Sequence, residues 1–254
     1  MRSISSRKSD RVKELVKLHK KSERVSAGLF LAEGPAVVRM ALDNSPELVV
    51  EVFAVENLVE EFLELGANVT VCTPEVIEAL GTTVQPQGVI ALCRIPQVDS
   101  AALLAKTGVL LVADGISDPG NMGTLIRTAD ATGVAGIMTF GSCVDPFNDK
   151  VVRSSAGSIF RVPISELTSL DLIPSGKHVY VLAAGASTSI TDIDLGQANY
   201  MWVVGSEAHG VHAAWAERGD NTTAVSIPMS AGVESLNAGV AGSICLYQGY
   251  LQHV

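Results

Sequence analysis

The chain has 254 residues, of which 47% are hydrophobic, and carries a formal net charge of −9. This apolar content is ample for a packed core and excludes a disordered chain, while the length allows one large domain or two small ones. No apolar run approaches the roughly 20 residues that span a bilayer, and no apolar stretch of a signal peptide opens the sequence. We therefore expect a cytoplasmic protein without a membrane partner.

The first segment of the chain is basic although the whole is acidic. Residues 1–24 hold nine Lys or Arg and three acids, so this arm carries +6 and leaves −15 on the rest. A basic arm can attract a polyanion locally, but a solvated basic helix is an equally good interpretation of the charge. The residues proposed for RNA contact are Arg7, Lys8, Arg11, Lys20, Lys21 and Arg24.

Short apolar runs alternate with helical patterns through the first half of the chain. In order, we predict a helix over 10–21, a strand over 28–33, a helix from Pro35 to about Leu42, a strand over 49–55, a helix over 58–65, a strand over 69–72, a helix opened by Thr73-Pro74-Glu75 and a strand over 89–93. Elements of this length predict a small α/β domain over residues 1–95.

A linker over residues 96–107 is predicted to precede a second α/β domain over 108–254. Five apolar runs recur there, over 109–113, 136–140, 179–184, 200–205 and 224–227. They are continuous rather than alternating, which predicts a parallel sheet covered on both faces. The last predicted helix, 236–252, has apolar residues at spacings of three or four and is expected to dock that stripe on the sheet. The stripe consists of Leu236, Val240, Ile244, Tyr247 and Leu251.

Three segments of the second half follow strand-like runs: 121–129, 205–210 and 227–237. Their polar residues therefore fall at the carboxyl ends of strands, where open α/β sheets bind ligands. Asn121 is a natural cap for a helix over about 122–132. Arg127 on that helix is either a surface arginine or a clamp for phosphate or ribose, since guanidinium is a planar donor fork.

The second and third segments have the character of cofactor loops. Gly205 and Gly210 permit close backbone approach to a ligand, and Ile227 and Met229 offer an apolar surface suited to an adenine. Ser235 and Asn237 could instead only cap the last helix, and Glu207 could be only a first-turn helix acid.

Other chemistries are poorly supported by the sequence. It contains no GxGxxG after a strand, no GxxxxGK[ST] and no GxSxG, so a dinucleotide site, a P-loop and a hydrolase elbow are unsupported. His209 and His212 are three residues apart without a further ligand cluster, and we predict no metal. The four cysteines form no CxxC pair and are expected to be free thiols in a reducing compartment.

The ordered set of three segments resembles the signature motifs of the SpoU (TrmH-type) RNA ribose 2′-O-methyltransferases of the SPOUT superfamily. Phe30–Gly34 and Pro86–Val89 resemble the RNA-binding domain that precedes the catalytic domain in many members. The resemblance implies an α/β trefoil-knot catalytic domain, an exception to the rule against knots. It also implies a homodimer and S-adenosylmethionine as cofactor.

The resemblance also assigns roles to residues. The implied catalytic residues are Arg127, Asn121, Glu207, Ser235 and Asn237, and the implied cofactor-binding residues are Gly205, Ile227, Leu236, Gly210, Met229 and Gly141. Arg127 is the family's catalytic arginine, but guanidinium is a poor base. We therefore expect it to position the ribose 2′-hydroxyl and pass its proton onward, in its own subunit's site or in the partner's.

A further segment, 148–157, is similar to the family's pattern after the first motif. Lys150 and Arg153 share a predicted helix face there and are candidates for RNA phosphate contact, or else solvated surface charges. One departure from the family is the pair Ala238-Gly239, where many members have a larger residue and a serine; Gly239 weakens helix initiation slightly.

The implied reaction is methyl transfer to RNA, with 23S ribosomal RNA the expected substrate and transfer RNA the alternative. Two other classes compete with it. A non-catalytic RNA-binding or ribosome-assembly protein would share the fold without binding the cofactor, and a small-molecule α/β enzyme would not need the basic arm. The motif residues present at all four polar positions, Arg127, Glu207, Ser235 and Asn237, argue against a protein without catalysis.

Overall fold

The computed structural model describes residues 2–196, 198–219 and 221–254. The chain divides into two compact units, the first comprising Met1–Gln97 and Asp145–Arg161 and the second comprising Val98–Val144 and Val162–Val254. Segment 145–161 thus groups with the first unit, although it lies inside the sequence range predicted for the second domain. No helix within the described ranges is long and apolar enough to cross a membrane.

Both units contain helices and strands. The strands are β1 (Arg2–Ile4), β2 (Leu29–Glu33), β3 (Val49–Ala54), β4 (Val69–Cys72), β5 (Val89–Arg94), β6 (Leu110–Asp114), β7 (Gly136–Phe140), β8 (Ile164–Glu166), β9 (His178–Leu182), β10 (Thr188–Ser189), β11 (Tyr200–Gly205) and β12 (Thr222–Ser226). The helices are α1 (Asp10–Lys17), α2 (Lys21–Ala27), α3 (Pro35–Asn44), α4 (Val59–Glu64), α5 (Pro74–Leu80), α6 (Ser100–Ala105), α7 (Pro119–Ala131), α8 (Asp149–Ser154), α9 (Ala214–Glu217) and α10 (Ala238–Leu251).

The first unit is built on a mixed five-stranded sheet in the order β1-β4-β3-β5-β2. Strands β1, β4 and β3 are parallel, and β5 runs antiparallel to both β3 and β2. The four strands predicted in this unit are confirmed within one or two residues. The edge strand β1 was not predicted, because three residues inside a basic arm carry no strand pattern. Apolar side chains of α1 and α5 pack together with the sheet in one core cluster.

The single helix predicted over residues 10–21 is wrong, because the chain forms two helices there. Ser9 caps α1, its hydroxyl accepting a hydrogen bond from the amide of Val12 at 3.3 Å. The chain then leaves the helix at Leu18, and Lys20 has extended backbone angles of −92° and 133° before α2 begins. Neither Gly nor Pro marks this break, so the periodicity of the apolar residues alone did not reveal it.

The proposed RNA contact by Arg24 is also wrong, because its side chain is 1% exposed. Its Nε and Nη2 donate to Asp145 Oδ2 at 2.9 and 2.6 Å, and its Nη1 donates to the carbonyl of Leu18 at 2.8 Å. A guanidinium held in this way is paired inside the first unit and cannot reach a phosphate. Removing one partner of a buried pair is expensive, because the other charge is left unpaired.

Helix α8 lies within the first unit, and it carries Lys150 and Arg153. Lys150 is exposed, as a residue that contacts phosphate needs to be. Arg153 is partly buried and donates to Glu33 Oε2 at 3.5 Å and to the hydroxyl of Thr82. Its charge is therefore partly satisfied within the unit, which weakens the interpretation of Arg153 as a phosphate contact.

The second unit is built on a seven-stranded sheet in the order β10-β12-β9-β11-β6-β7-β8, and every neighbouring pair is parallel. The α/β class with a parallel sheet is thereby confirmed. The five predicted apolar runs are its five longer strands, while the short edge strands β8 and β10 were missed. Helix α6, in the segment predicted as a linker, buries Leu103 and Leu104 in the core of this unit.

The orientation predicted for the last helix is wrong. The apolar residues Val240, Ile244, Tyr247 and Leu251 of α10 face outward and are exposed by 37 to 55%. Its buried face is instead made largely of small residues, namely Ala238, Gly239, Ala241, Gly242, Cys245, Leu246 and Gly249. This face packs against α7, and a Cβ on Gly242 would overlap the side chain of Leu125. The outward apolar residues, together called the α10 stripe below, have no cover within the described part of the chain.

Candidate active site

Four parallel strands of the second unit, β9, β12, β11 and β6, end at one edge of the sheet, and two cavities open there. The first, the apolar cavity, has a volume of about 290 Å³. Its lining residues are Leu182, Ala183, Ala184, Gly185, Val204, Gly205, Ser206, Glu207, Gly210, Val225, Ile227, Met229, Ser235, Leu236, Ala238 and Ala241. Five of the six residues predicted to bind a cofactor line this cavity. The sixth, Gly141, does not.

The second, the polar cavity, has a volume of about 780 Å³. Its lining residues are Asp114, Gly115, Ile116, Ser117, Asp118, Asn121, Gly141, Ser142, Ser206, Glu207, Ala208, His209, Gly210, Val211, His212, Ala213 and Ala238. The two cavities therefore share a wall, formed by Ser206, Glu207, Gly210 and Ala238. A ligand in one cavity would meet a ligand in the other across these residues.

The loop after β11 forms most of the shared wall. Ser206 and Gly210 exchange two backbone hydrogen bonds of 3.0 and 2.8 Å, and Gly210 has a φ of +65°. Gly205 is required for a different reason, since a Cβ on it would overlap the backbone of Gly210 and Val211. The glycines therefore permit a tight hairpin whose backbone can approach a ligand closely.

Glu207 gathers the polar residues of the three segments. Its Oε1 accepts hydrogen bonds from Asn121 Nδ2 at 3.2 Å, Asn237 Nδ2 at 2.5 Å and the amide of Ala238 at 3.1 Å. Asn237 Nδ2 also donates to Asn121 Oδ1 at 2.8 Å. Glu207 Oε2 has no hydrogen-bond partner among the residues that the structure describes, so one oxygen remains available to a substrate.

The two asparagines differ in their helix-capping roles. Asn237 caps α10 as the sequence allowed, with Oδ1 accepting from the amide of Val240 at 3.1 Å. Asn121 does not cap α7. Asp118 does so, with Oδ1 accepting from the amide of Asn121 at 2.8 Å, and Asn121 lies inside the first turn. Pro119 occupies the first helical position, so the helix begins at residue 119 and not at the predicted residue 122.

Arg127 is not brought to either cavity of its own chain. It is exposed on α7, six residues beyond Asn121 and therefore about 9 Å further along the helix axis. The described part of the chain offers it no hydrogen-bond or ion-pair partner. Nearby, Thr128 and Ser243 hydroxyls lie 2.8 Å apart and join α7 to the helix that carries the α10 stripe.

The basic arm leaves most of its predicted contacts accessible. Arg7, Lys8, Lys20 and Lys21 are exposed. Arg11 donates to Glu51 Oε2 at 2.8 Å and keeps 43% of its side chain exposed. Four of the six residues are therefore free surface charges of the first unit.

The described residues contain no group of three metal-ligating side chains. The four cysteines are free thiols, and burial raises the pKa of each, for example to about 11 at Cys72 and about 12 at Cys93. At neutral pH these thiols stay protonated and are poor nucleophiles.

One carboxylate at the site was not singled out from the sequence. Asp114 ends β6 and is only 4% exposed. Its Oδ2 accepts from the amide of His212 at 2.6 Å and from Trp215 Nε1 at 2.9 Å. The available signal was an acid directly after the apolar run 109–113, but a charged residue at that point is as easily the first residue of a loop.

Comparison with known proteins agrees with this arrangement. The model of the SpoU rRNA Methylase family matches residues 108–247, and that of the MRM3-like substrate binding domain matches residues 9–91. The chain is 34% identical over 252 residues to the Bacillus subtilis protein named 23S rRNA (guanosine(2553)-2′-O)-methyltransferase RlmP, covering 97% of this chain and 98% of that one.

Two solved structures are similar over nearly the whole chain. The AdoMet-bound rRNA methyltransferase of Sinorhizobium meliloti has a TM-score of 0.89 at 26% identity, covering 100% of this chain and 98% of that one. The SpoU methyltransferase AviRb of Streptomyces viridochromogenes, in complex with AdoMet, has a TM-score of 0.86 at 26% identity, covering 96% and 98%.

Proposed function

The chain belongs to the SpoU rRNA methylase family, and on that premise we propose that it transfers a methyl group from S-adenosylmethionine to a ribose 2′-hydroxyl of 23S ribosomal RNA in the cytoplasm. The observation that carries the proposal is the placement of Glu207, Asn121 and Asn237 on and beside the wall between the apolar and polar cavities. A group donated from one cavity and accepted in the other would pass this cluster.

The apolar cavity suits the cofactor by its chemistry. Ile227, Leu182 and Met229 provide apolar faces for an adenine, and Gly205 and Gly210 present bare backbone to the polar edges of a ligand. The volume lies near the lower end of small-molecule pockets, about 300 Å³. When bound, the cofactor supplies a methyl group on a positively charged sulfonium. The carboxylate of Glu207 would face that charge favourably.

The residues of the chain would then position the acceptor and take up its proton. A ribose in the polar cavity would place its hydroxyl beside Glu207, and holding donor and acceptor in line supplies much of the acceleration. Methylation releases the hydroxyl proton, and guanidinium is a poor base for it. We assign the orientation of the hydroxyl to Arg127 and the uptake of its proton to the unpaired oxygen of Glu207.

We propose that the enzyme is a homodimer formed through the α10 stripe. Val240, Ile244, Tyr247 and Leu251 form a continuous apolar row on one helix, and an exposed patch of this kind marks an interaction site. Arg127 is exposed on the helix that packs beside it and lines neither cavity of its own chain. In such a dimer, Arg127 would act in the partner's site.

The basic arm is proposed to hold the RNA backbone. Deleting it would test this poorly, since the arm contains the edge strand β1 of the first unit's sheet and the core residues Val12 and Leu15 of α1. Replacing the four exposed cations Arg7, Lys8, Lys20 and Lys21 by glutamine is expected to keep the fold, because their side chains lie at the surface. We expect weaker RNA binding and a salt dependence shallower by about 0.7 to 0.9 for each phosphate that the arm no longer neutralises.

Filter binding at several salt concentrations measures this slope. Lys106→Gln is the control, because Lys106 is also an exposed lysine but lies in the second unit. An unchanged salt dependence in the variant with all four substitutions would show that the basic arm does not bind RNA. Cofactor affinity should be the same in all of these variants.

Titration calorimetry with S-adenosylmethionine tests the function itself. We expect saturable binding at one site per chain, and loss of that binding in Asn237→Ala, because the change removes the cap of α10 and two bonds to Glu207 and Asn121. Asn57→Ala is the control, since Asn57 is exposed and its side chain makes no hydrogen bond with the described residues.

The two failures of this titration have different meanings. Unaltered affinity in Asn237→Ala would show that the cluster of Asn121, Glu207 and Asn237 does not contribute to cofactor binding. No binding to the wild-type protein, alone or with ribosomal RNA present, would contradict the methyltransferase and favour an RNA-binding protein without catalysis.

A further inference from the structure

Asp114 has a place at this site that the proposed roles do not use. It is buried at the end of β6, lines the polar cavity, and touches neither Asn121, Asn237 nor Glu207 through a hydrogen bond. We propose that Asp114 is a positioning residue that fixes the loop over residues 205–212, called the Glu207 loop below, and thereby places Glu207. The proposal rests on the proposed function for its kinetic consequences, but not for its structural ones.

The backbone of Asp114 fixes where the Glu207 loop begins. Strands β6 and β11 are neighbours, and Gly205 is the register partner of Asp114 at the last rung of the ladder. The loop therefore leaves the sheet beside Asp114. No other strand of the described ranges pairs with Gly205, because the ladder between β11 and β9 ends at Val203.

The side chain of the same residue fixes where the loop ends. Asp114 Oδ2 accepts from the amide of His212 at 2.6 Å, and from Nε1 of the fully buried Trp215 at 2.9 Å. Trp215 also packs edge-on against Phe140 at 5.5 Å between ring centres. One residue thus ties both ends of the loop to the sheet.

Between these ends, the attachments that the described residues give the loop are the hydrogen bonds that the carboxylate of Glu207 accepts from Asn121, Asn237 and the amide of Ala238. Glu207, Ala208, His209 and Gly210 are exposed or nearly so, so packing contributes little to their position. The hydrogen bonds within the loop join Ser206 to Gly210 and to His209, which sets its shape but not its attachment. The far end is attached by the hydrogen bond from the His212 amide to Asp114, by the His212 ring, which meets Phe140 edge-on at 5.9 Å between ring centres, and by Val211, which packs against the core.

A carboxylate is well suited to this task, although burying a charge is costly. Both donors meet one oxygen, and hydrogen bonds to an ionised acceptor are roughly twice as strong as neutral ones. Gly141 lies on the other side, where a Cβ would be in ordinary van der Waals contact with Asp114 Oδ1 at 3.5 Å. No Lys, Arg or His side chain within the described ranges forms an ion pair with Asp114, so its bonds go to the loop and to Trp215.

The experiment combines Asp114→Ala and Asp114→Asn with Glu207→Gln in a double-mutant cycle. Methyl transfer is measured with saturating S-adenosylmethionine. We expect Asp114→Ala to lower kcat by about 100-fold, the cost of misplacing a reacting group by about 1 Å. Asparagine keeps an acceptor oxygen and should restore at least half of that loss on a logarithmic scale. In the Glu207→Gln background, Asp114→Ala should have an effect of less than about threefold, since it acts through Glu207.

Hydrogen exchange gives a readout that does not depend on activity. Asp114→Ala should raise exchange at the amides of 206–212, while amides of β6 and β11 stay protected. Trp215→Phe removes one donor and keeps a ring, so it should raise exchange less and fold normally. Glu166→Ala is the matched control, an acid at the end of β8 that is exposed and bonds to no loop of the described ranges.

The outcomes separate the two proposals. Equal kcat losses from Asp114→Ala in the wild-type and Glu207→Gln backgrounds, or unchanged exchange over 206–212, would overturn the positioning role. An inactive wild-type protein whose loop still loosens in Asp114→Ala would overturn the proposed function and leave the positioning role standing. A general loss of protection in Asp114→Ala moves the decision to Trp215→Phe, where unchanged exchange over 206–212 would overturn the role.

Discussion

Arg127→Ala is expected to lower the rate of methyl transfer by about a thousandfold or more, while the affinity for S-adenosylmethionine changes by no more than a few fold. Arg127 is exposed and lines neither cavity, so its loss leaves the cofactor site of the same chain intact. Single-turnover kinetics and calorimetry on the same preparation measure the two quantities. A fully active variant would refute the role given to Arg127.

Arg127→Lys serves as the matched variant. Lysine keeps the charge but not the planar donor fork, so we expect it to recover little of the lost rate. Recovery close to the wild-type rate would show that Arg127 acts only as a positive charge. Both substitutions lie at an exposed position of α7, so we expect almost no change in the free energy of unfolding.

Mixing two inactive variants would establish which subunit's site Arg127 serves. Chains carrying Arg127→Ala and chains carrying Asn237→Ala are each expected to be inactive as homodimers. If Arg127 acts in the partner's site, each mixed dimer holds one complete site, and random exchange of subunits restores about a quarter of the wild-type activity. No recovery after proven exchange would place Arg127 in its own subunit's site.

Ile244→Glu is expected to convert the proposed dimer into a monomer of 26.6 kDa and to abolish methyl transfer, because a charge at the centre of the α10 stripe would have to be buried without a partner. Ile244 faces away from its own chain's cavities, so the monomer should still bind S-adenosylmethionine. Light scattering, activity and calorimetry on one sample give all three results.

Leu172→Glu provides the control for Ile244→Glu. Leu172 is also an exposed apolar residue of the second unit, but it lies outside the stripe, so this variant should remain dimeric and active. A wild-type protein that is monomeric at micromolar concentration, or an active Ile244→Glu monomer, would contradict the dimer and the role of Arg127 in the partner's site together.

The sequence predicted the sheet of the second unit well and the orientation of its last helix badly. Buried parallel strands are continuous apolar runs, and the runs at 136–140 and 200–205 match β7 and β11 residue for residue. In α10, apolar spacing identified a stripe but not what covers it. The buried face is made largely of glycine and alanine, which a hydrophobicity pattern does not detect. Close packing of two helices depends on small side chains more than on hydrophobic ones.

The candidate site was predictable in its parts but not in its connections. Strand ends brought together Asn121, Glu207 and Asn237, which are far apart in sequence. The start of α7 was misplaced, because both Asn121 and Asp118 are good caps and only Pro119 favours the earlier one. Arg24 was taken for an exposed cation because its partner, Asp145, lies 121 residues later in the chain. Such pairings are set by tertiary structure, and local patterns do not contain them.

The trefoil knot and the roles of individual site residues stay predictions.

The composition of the first unit has a consequence for how the protein is made. Residues 145–161 complete that unit, supplying Asp145 to the buried guanidinium of Arg24 and Phe147 to the ring of Phe30. During translation the N-terminal unit must therefore wait, several seconds at typical rates of synthesis, until residue 161 has left the ribosome. Until then it holds an uncompensated cation and an uncovered aromatic surface. A nascent chain of this protein is thus expected to complete its first unit only after the first part of the second unit has been made, rather than as soon as residue 97 has emerged.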